Sequence, residues 1–239
     1  MDTFRGRAAN TLIGLATALA IVAVTLPLFL NPLWIAFEQA RSQATAWTGF
    51  TEPELRSATD AILSDLVIGP PAFDVAVGGS PVLNERERGH MRDVRGVFVG
   101  FFAAAALLGV VAIVVHARRR GAARSGSWRA MRAGALTLIV VLVVAGVVAL
   151  VAFEAMFEVF HRIFFAGGSY TFDPSTERLV QLFPFAFWQE TALAVGVVCI
   201  ALAGLLAIVA SRRAAATTAD HASGDTLTAT SLPATGPSR

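Results

Sequence analysis

The 239-residue chain has no lysine, so all 19 of its basic residues are arginine, and it has one cysteine and one tyrosine. Charge of either sign is scarce at 15%, where a soluble domain carries about 25%. Hydrophobic residues make up 55% and the mean hydropathy is +0.64. A chain so short of charge cannot cover a water-facing surface, and it lacks the polar, charge-rich composition of a disordered one. A net charge of +2 excludes a nucleic-acid binder as the main reading. The lone Cys199 excludes an intrachain disulfide and any cysteine-built metal site. It lies in an apolar run and reads as a small buried hydrophobe. No cysteine stands near the N-terminus, so the chain is not expected to be a lipidated lipoprotein itself. The Gly-x-Ser-x-Gly elbow, the Walker loop and His-Glu-x-x-His are also missing, and with them three common catalytic designs.

What is present is four apolar stretches, Thr11–Leu30, Val97–Val115, Ala133–Ala152 and Ala192–Ala210, none holding an ionisable residue. Each matches the roughly 20 residues that a bilayer crossing needs. The first exceeds the length of a signal-peptide core and has no clear small-residue cleavage site after it, so an uncleaved span is expected. Arg118, Arg119, Arg120, Arg124, Arg129 and Arg132 fill the second linker without an acidic residue, Arg5 and Arg7 precede span one, and Arg212 and Arg213 close span four. The positive-inside rule then places both termini in the cytoplasm of a plasma-membrane protein, with loops 35–95 and 153–190 outside. The expected fold is an all-α membrane protein. Residues 1–213 form a four-transmembrane-helix bundle with an extracytoplasmic cap from the first outer loop, and 214–239 form a disordered cytoplasmic tail. The tail's Leu232-Pro233-Ala234-Thr235-Gly236 matches a sortase pentapeptide but has no hydrophobic span after it, and is read as coincidence.

In the first outer loop, Thr51-Glu52-Pro53-Glu54 is a capping box that opens a helix. Leu55, Ala58, Ile62 and Leu66 give that helix one apolar face, expected on the membrane or against the top of the bundle. Phe73, Val75 and Val77 alternate as in a short strand. Asn84-Glu85-Arg86-Glu87 caps a second helix that should run unbroken from Glu85 to about His116. Beyond Ala152 the third helix is expected to continue to a break at Gly167-Gly168. Phe153, Phe157, Phe160 and Phe164 share one of its faces, read as an interfacial anchor, and Glu154, Glu158 and His161 share another.

His90 lies seven residues before span two and His161 nine beyond span three, so both sit roughly 10–13 Å outside the apolar boundary. Two of the four histidines thus fall at matched height on neighbouring helices. Glu87 and Asp93 are within helical reach of His90, and Glu158 and Glu154 of His161. A carboxylate there would favour the charged imidazole or fix its tautomer, and Glu158 is the first choice. Taken alone, this spacing also fits two solvated interfacial histidines.

The residues around the two histidines resemble a known family. Arg88-Gly89-His90-Met91-Arg92-Asp93-Val94-Arg95 is similar to its His-Met-x-Asp-Val segment before span two. Phe160-His161-Arg162-Ile163-Phe164-Phe165, with Tyr170-Thr171-Phe172-Asp173-Pro174 and Leu182-Phe183-Pro184, resembles its second signature. The family is the bacterial four-span lipoprotein intramolecular transacylase (Lit) family, and the similarity covers residues 8–212. The resemblance implies a reaction in which the sn-2 acyl chain of a diacylglyceryl lipoprotein moves to the α-amino group of its N-terminal cysteine, giving a lyso-form lipoprotein. It also implies that His90 and His161 are the catalytic pair. Glu158, Glu154, Asp93, Glu87 and Tyr170 are taken as supporting residues. Tyr170 stands where many members have tryptophan, and Phe185 where an acidic residue follows the proline. The substrate amine is itself the nucleophile, so no serine or cysteine nucleophile is required, and no cofactor or metal is implied. The implied partners are diacylglyceryl lipoproteins and membrane lipid, with oligomeric state unspecified. Two alternatives stay open at this point: a metal-binding membrane protein using the histidines and carboxylates, and a non-enzymatic scaffold whose outer loop docks a partner.

Overall fold

The computed structural model describes residues 2–165 and 167–230. Helix α1 (Asp2–Thr25) ends in a single 3-10 turn, Leu26–Leu28, at Pro27, which cannot supply a helical N–H. Helix α2 (Pro32–Arg41) starts where the Asn31 side chain accepts the amides of Leu33 and Trp34. The short α3 (Ala44–Thr48) stops at Gly49, whose φ of 70° suits a residue without a Cβ. Helix α4 (Glu52–Val67) begins with the expected capping box, Glu54 accepting the Thr51 amide at 2.9 Å. A two-residue hairpin follows, β1 (Ala76–Val77) antiparallel to β2 (Ser80–Pro81). Then come α5 (Glu85–Arg118), α6 (Gly121–Phe164), the short α7 (Arg178–Leu182) and α8 (Phe185–Thr230).

Among the described residues, four helices are long and apolar enough to cross a membrane: Phe4–Leu28, Glu85–Arg118, Gly121–Phe164 and Phe185–Ala219. They contain the four stretches read from the sequence, apart from two residues at the end of the first. Leu107, Ile113, Val140, Leu150 and Leu205 are exposed on them, as expected of helices that are apolar all round and meet lipid rather than water.

The residues fall into two compact units. The first takes the described residues up to Ala20, Ala106–Ile139, and those from Ala201 on. Its packed centre holds Ile13, Ala16, Ala112 and Ala130, where α1 and α6 approach so closely that Gly14 and Gly134 touch through their backbones. Arg119 ties the same unit together by donating to Asn10 and Ser127.

The second unit takes Ile21–Ala105 and Val140–Ile200. Its core gathers Ile35 of α2, Leu55, Ala58 and Ile62 of α4, Phe73, Val75, Leu83, Met91 of α5, and Leu182, Phe183 and Phe187. The apolar face of α4 therefore enters this core rather than lying on a membrane surface. Buried Gln39 joins three elements, its amide donating to the Leu182 carbonyl at 2.9 Å and to Thr59 at 3.0 Å.

Three features depart from the sequence reading. Phe73 and Val75 are not in a strand, because Phe73 turns into the core at φ 51° with its amide held by Asp65. Helix α6 does not run straight, since Ala152 has φ −148° and ψ 43°. The tail expected as disorder is helical as far as Thr230. Its start, Ala214-Ala215-Ala216, has high helix propensity. Thr217 and Thr218 bond back to the carbonyls of Arg213 and Ala214, and Ser125 reaches Ala214 and Thr218. Residues 231–239, with the sortase-like pentapeptide, lie outside the described residues.

Candidate active site

The Asn84 cap fixes the start of α5. Asn84 Oδ1 accepts the Glu87 amide at 2.9 Å, and Glu87 Oε2 accepts the Asn84 amide at 2.7 Å. The other Glu87 oxygen accepts the Leu179 amide, fastening α7 to this turn. His90 follows one turn later, on the buried face of α5 beside Met91. His161 comes from the last turns of α6. The two imidazoles stack with ring centroids 5.9 Å apart and planes at 24°, and the residues are only 6% and 8% exposed. The sequence reading as solvated histidines is thereby removed, and the matched heights do correspond to contact.

Aromatic rings enclose the pair. Phe165 lies 4.8 Å from His90 and 5.3 Å from His161, and Phe172 lies 5.4 Å from His90. Phe157 lies tilted 4.0 Å from His161, with Tyr170 at 5.1 Å and Phe160 at 5.4 Å. The aromatic stripe on α6 is thus divided: Phe160 and Phe164 are exposed as an anchor would be, whereas Phe153 is buried and Phe157 packs on the histidine. Its i−4 spacing from His161 was the signal available for Phe157.

The expected carboxylate support is not what holds the histidines. His161 Nδ1 donates to the Phe157 carbonyl at 2.7 Å, so the neutral ring leaves Nε2 unprotonated. The imidazole bends back over its own helix and reaches the i−4 carbonyl before any side chain. Glu158 instead accepts from Arg162 at 2.8 Å and from the Tyr170 hydroxyl at 3.1 Å, and acts on His161 through its charge rather than a hydrogen bond. Glu87 is a cap, while Glu154 and Asp93 are exposed. His90 Nδ1 is buried without a hydrogen-bond partner.

Arg86 and Glu177 were missed by sequence reasoning, since they are 91 residues apart and carry no motif. Arg86 donates to both oxygens of buried Glu177 at 2.5 Å and to the Thr171 carbonyl at 2.7 Å, with its guanidinium 4.8 Å over Phe172. Burial pushes the Glu177 carboxyl up, but the Asp173 amide, Arg86 and Asn84 outweigh it and leave it below the usual range. This clamp keeps Phe172 against His90. Among the described residues, no three His, Cys, Asp or Glu side chains gather as metal ligands would.

The chain matches the family "Lipoprotein intramolecular transacylase Lit" over residues 11–188. It belongs to this family. Membership makes it an integral membrane acyltransferase that acts on lipoproteins. A search of curated proteins found no match. Among solved structures, lipoprotein intramolecular transacylase Lit from Bacillus cereus superimposes with TM-score 0.70 at 18% identity, over 89% of this chain and 97% of that one. Two variants of the Bacillus cereus protein, with a histidine replaced by arginine or by alanine, both give TM-score 0.65. Their identities are 15% and 16%, with 93% and 88% of this chain and 96% and 94% of theirs covered. At these identities the likeness establishes the fold.

In this transacylase-family chain, both histidines lie beyond the apolar stretches Val97–Val115 and Ala133–Ala152. Burial drives both imidazoles below the ordinary histidine pKa. For His90 the neighbouring His161 adds repulsion and Asp93 opposes it. For His161 the Phe157 carbonyl and Glu158 oppose burial without reversing it. Burial thus biases both rings toward the neutral form. An unprotonated ring nitrogen of such a pair can accept a proton and hand it on.

Proposed function

We propose that this chain moves the sn-2 acyl chain of a diacylglyceryl lipoprotein to the α-amino group of its N-terminal cysteine, with His90 and His161 as the proton-transfer pair. The observation that carries the reading is the stacking of two buried imidazoles, from separate helices, in a member of a transacylase family. The substrate ammonium first releases one proton to solvent and becomes a nucleophile. Its nitrogen attacks the ester carbonyl carbon, and collapse of the tetrahedral adduct forms the amide and breaks the bond to the glycerol oxygen. The second amine proton passes through the histidines to that oxygen, which leaves as a hydroxyl. His161 suits the base role because Nε2 is left with its lone pair. Amine and ester belong to one molecule, so much of the acceleration comes from holding them together. The aromatic walls keep water, the competing nucleophile, away from the ester. Mass spectrometry of lipoprotein N-termini, in a host without competing N-acylation, should show the lyso form only when this gene is expressed. Its absence from the expressing strain contradicts the proposal.

The lowered histidine pKa values have a measurable consequence. The imidazoles stay unprotonated as pH falls through the ordinary histidine value of about 6.5, so NMR titration of the His90 and His161 ring protons should give midpoints below it. A midpoint at or above that value for either ring contradicts a buried pair held in the neutral form.

The arginines support placing the pair on the extracytoplasmic side, with both termini in the cytoplasm. Reporter fusions at Gly79 and at Ala216 should then report opposite sides of the membrane. The same side for both overturns this orientation.

A further inference from the structure

Helix α6 bends at Ala152, between its apolar stretch and the segment that carries His161. Sharp bends in helices come from proline, from glycine or serine pairs, from bulges, or from a side chain inserted into the hydrogen-bond ladder. The bend has no proline, and the nearest glycine is Gly146, well over one turn earlier. A side chain is there. Gln189, in the first turns of α8, donates from Nε2 to the Ala149 carbonyl at 2.8 Å. In a regular helix that carbonyl accepts the Phe153 N–H, and the Ala152 dihedrals lie inside the ring which that bond closes.

The same face of α8 also holds the far side of the bend. Phe185, four residues before Gln189, packs 4.9 Å from Phe153 and 5.6 Å from Phe157. Phe157 leads directly to His161, by ring contact at 4.0 Å and through the carbonyl that fixes its Nδ1 proton. Gln189 thus grips α6 before the bend, and Phe185 grips it after.

We propose that Gln189 is a positioning residue for acyl transfer: by occupying the Ala149 carbonyl it sets the bend in α6 that brings His161 against His90. This rests on the reading of His161 as catalytic. The test uses the full-length enzyme with a diacylglyceryl lipopeptide. Gln189→Leu keeps the bulk and removes the donor. Its kcat should fall about 10²-fold, the scale expected when a catalytic group is displaced by about an ångström, with KM unchanged. Gln189→Glu is the second variant. As a carboxylate it cannot donate and should be equally slow, but its rate relative to the wild type at the same pH should rise as pH is lowered and its acid proton becomes available to Ala149. Gln189→Leu should keep a constant ratio to the wild type, and a residue that merely fills space would not produce a rise. Wild-type kcat in Gln189→Leu overturns the proposal, as does a Gln189→Glu variant whose ratio to the wild type does not rise at low pH. His161→Ala, assayed alongside, separates the two levels. If it is active, the histidine reading itself falls; if it is inactive beside a fast Gln189→Leu, only the role of Gln189 falls.

Discussion

His161→Ala and His90→Ala should each abolish lyso-form production while the protein still accumulates in the membrane. General acid–base assistance contributes about 10²–10⁴-fold, and in the proposed mechanism both histidines lie on the proton path. Glu158 is engaged by Arg162 and Tyr170, and Glu87 by two backbone amides. The sequence alone treats both histidines as exposed, where alanine costs little stability. Their burial changes the control that is needed. Each alanine leaves a gap among Phe157, Phe165 and Phe172, and a loss of about 1–3 kcal/mol is the ordinary scale for such a change. Melting of the detergent-solubilised variants must therefore accompany the assay, and His161→Gln, which fills more of the gap, should be as inactive as alanine. A folded His161→Ala or His90→Ala enzyme working at the wild-type rate contradicts the histidine mechanism.

Gly134→Ala should be the most destabilising single methyl addition among the glycines of the membrane helices. A Cβ there would come within 2.7 Å of the Gly14 backbone, and closer still to its carbonyl oxygen. The obstacle is main chain, which cannot rotate away as a side chain can. Helices in lipid gain their association from close van der Waals packing at small residues, so forcing α1 from α6 removes the contacts that hold the pair. The cost should reach or pass the upper end of the roughly 1–3 kcal/mol typical of overpacking. Gly100→Ala and Gly146→Ala are internal controls, since their added carbons meet nothing within 4 Å. In those helices alanine should be neutral or stabilising by up to about 1 kcal/mol. Equal melting temperatures for Gly134→Ala and the two controls contradict the close approach.

The four spans, the cap on α4 and the long α5 were legible in the sequence because each has a strong local cause: an uninterrupted apolar run, Thr51 with Glu54, Asn84 with Glu87. The heights of His90 and His161 were legible for the same reason, as arithmetic along two helices. What holds the site was not. Glu177 and Arg86 meet across 91 residues, and Gln189 meets Ala149 across 40. Neither pair leaves a trace in periodicity. Helices α3 and α7 are five residues each, too short to show a helical repeat. The bend at Ala152 occurs where the local sequence, Val151-Ala152-Phe153, holds neither proline nor glycine, so nothing local marks it. The carboxylate expected beside His161 was displaced by a backbone carbonyl, a partner that every position offers and no motif marks.

The most direct measurement follows one labelled acyl chain. Purified enzyme would be given a diacylglyceryl lipopeptide with a heavy acyl chain at sn-2 only, mixed with an unlabelled lipopeptide of different peptide mass. Fragmentation mass spectrometry then locates the label. The heavy chain should appear as an amide on the N-terminal cysteine of its own peptide, with a free glycerol hydroxyl at sn-2 and no label on the lighter partner. Label that stays on glycerol, appears as free fatty acid, or crosses to the other peptide contradicts intramolecular transfer by this chain.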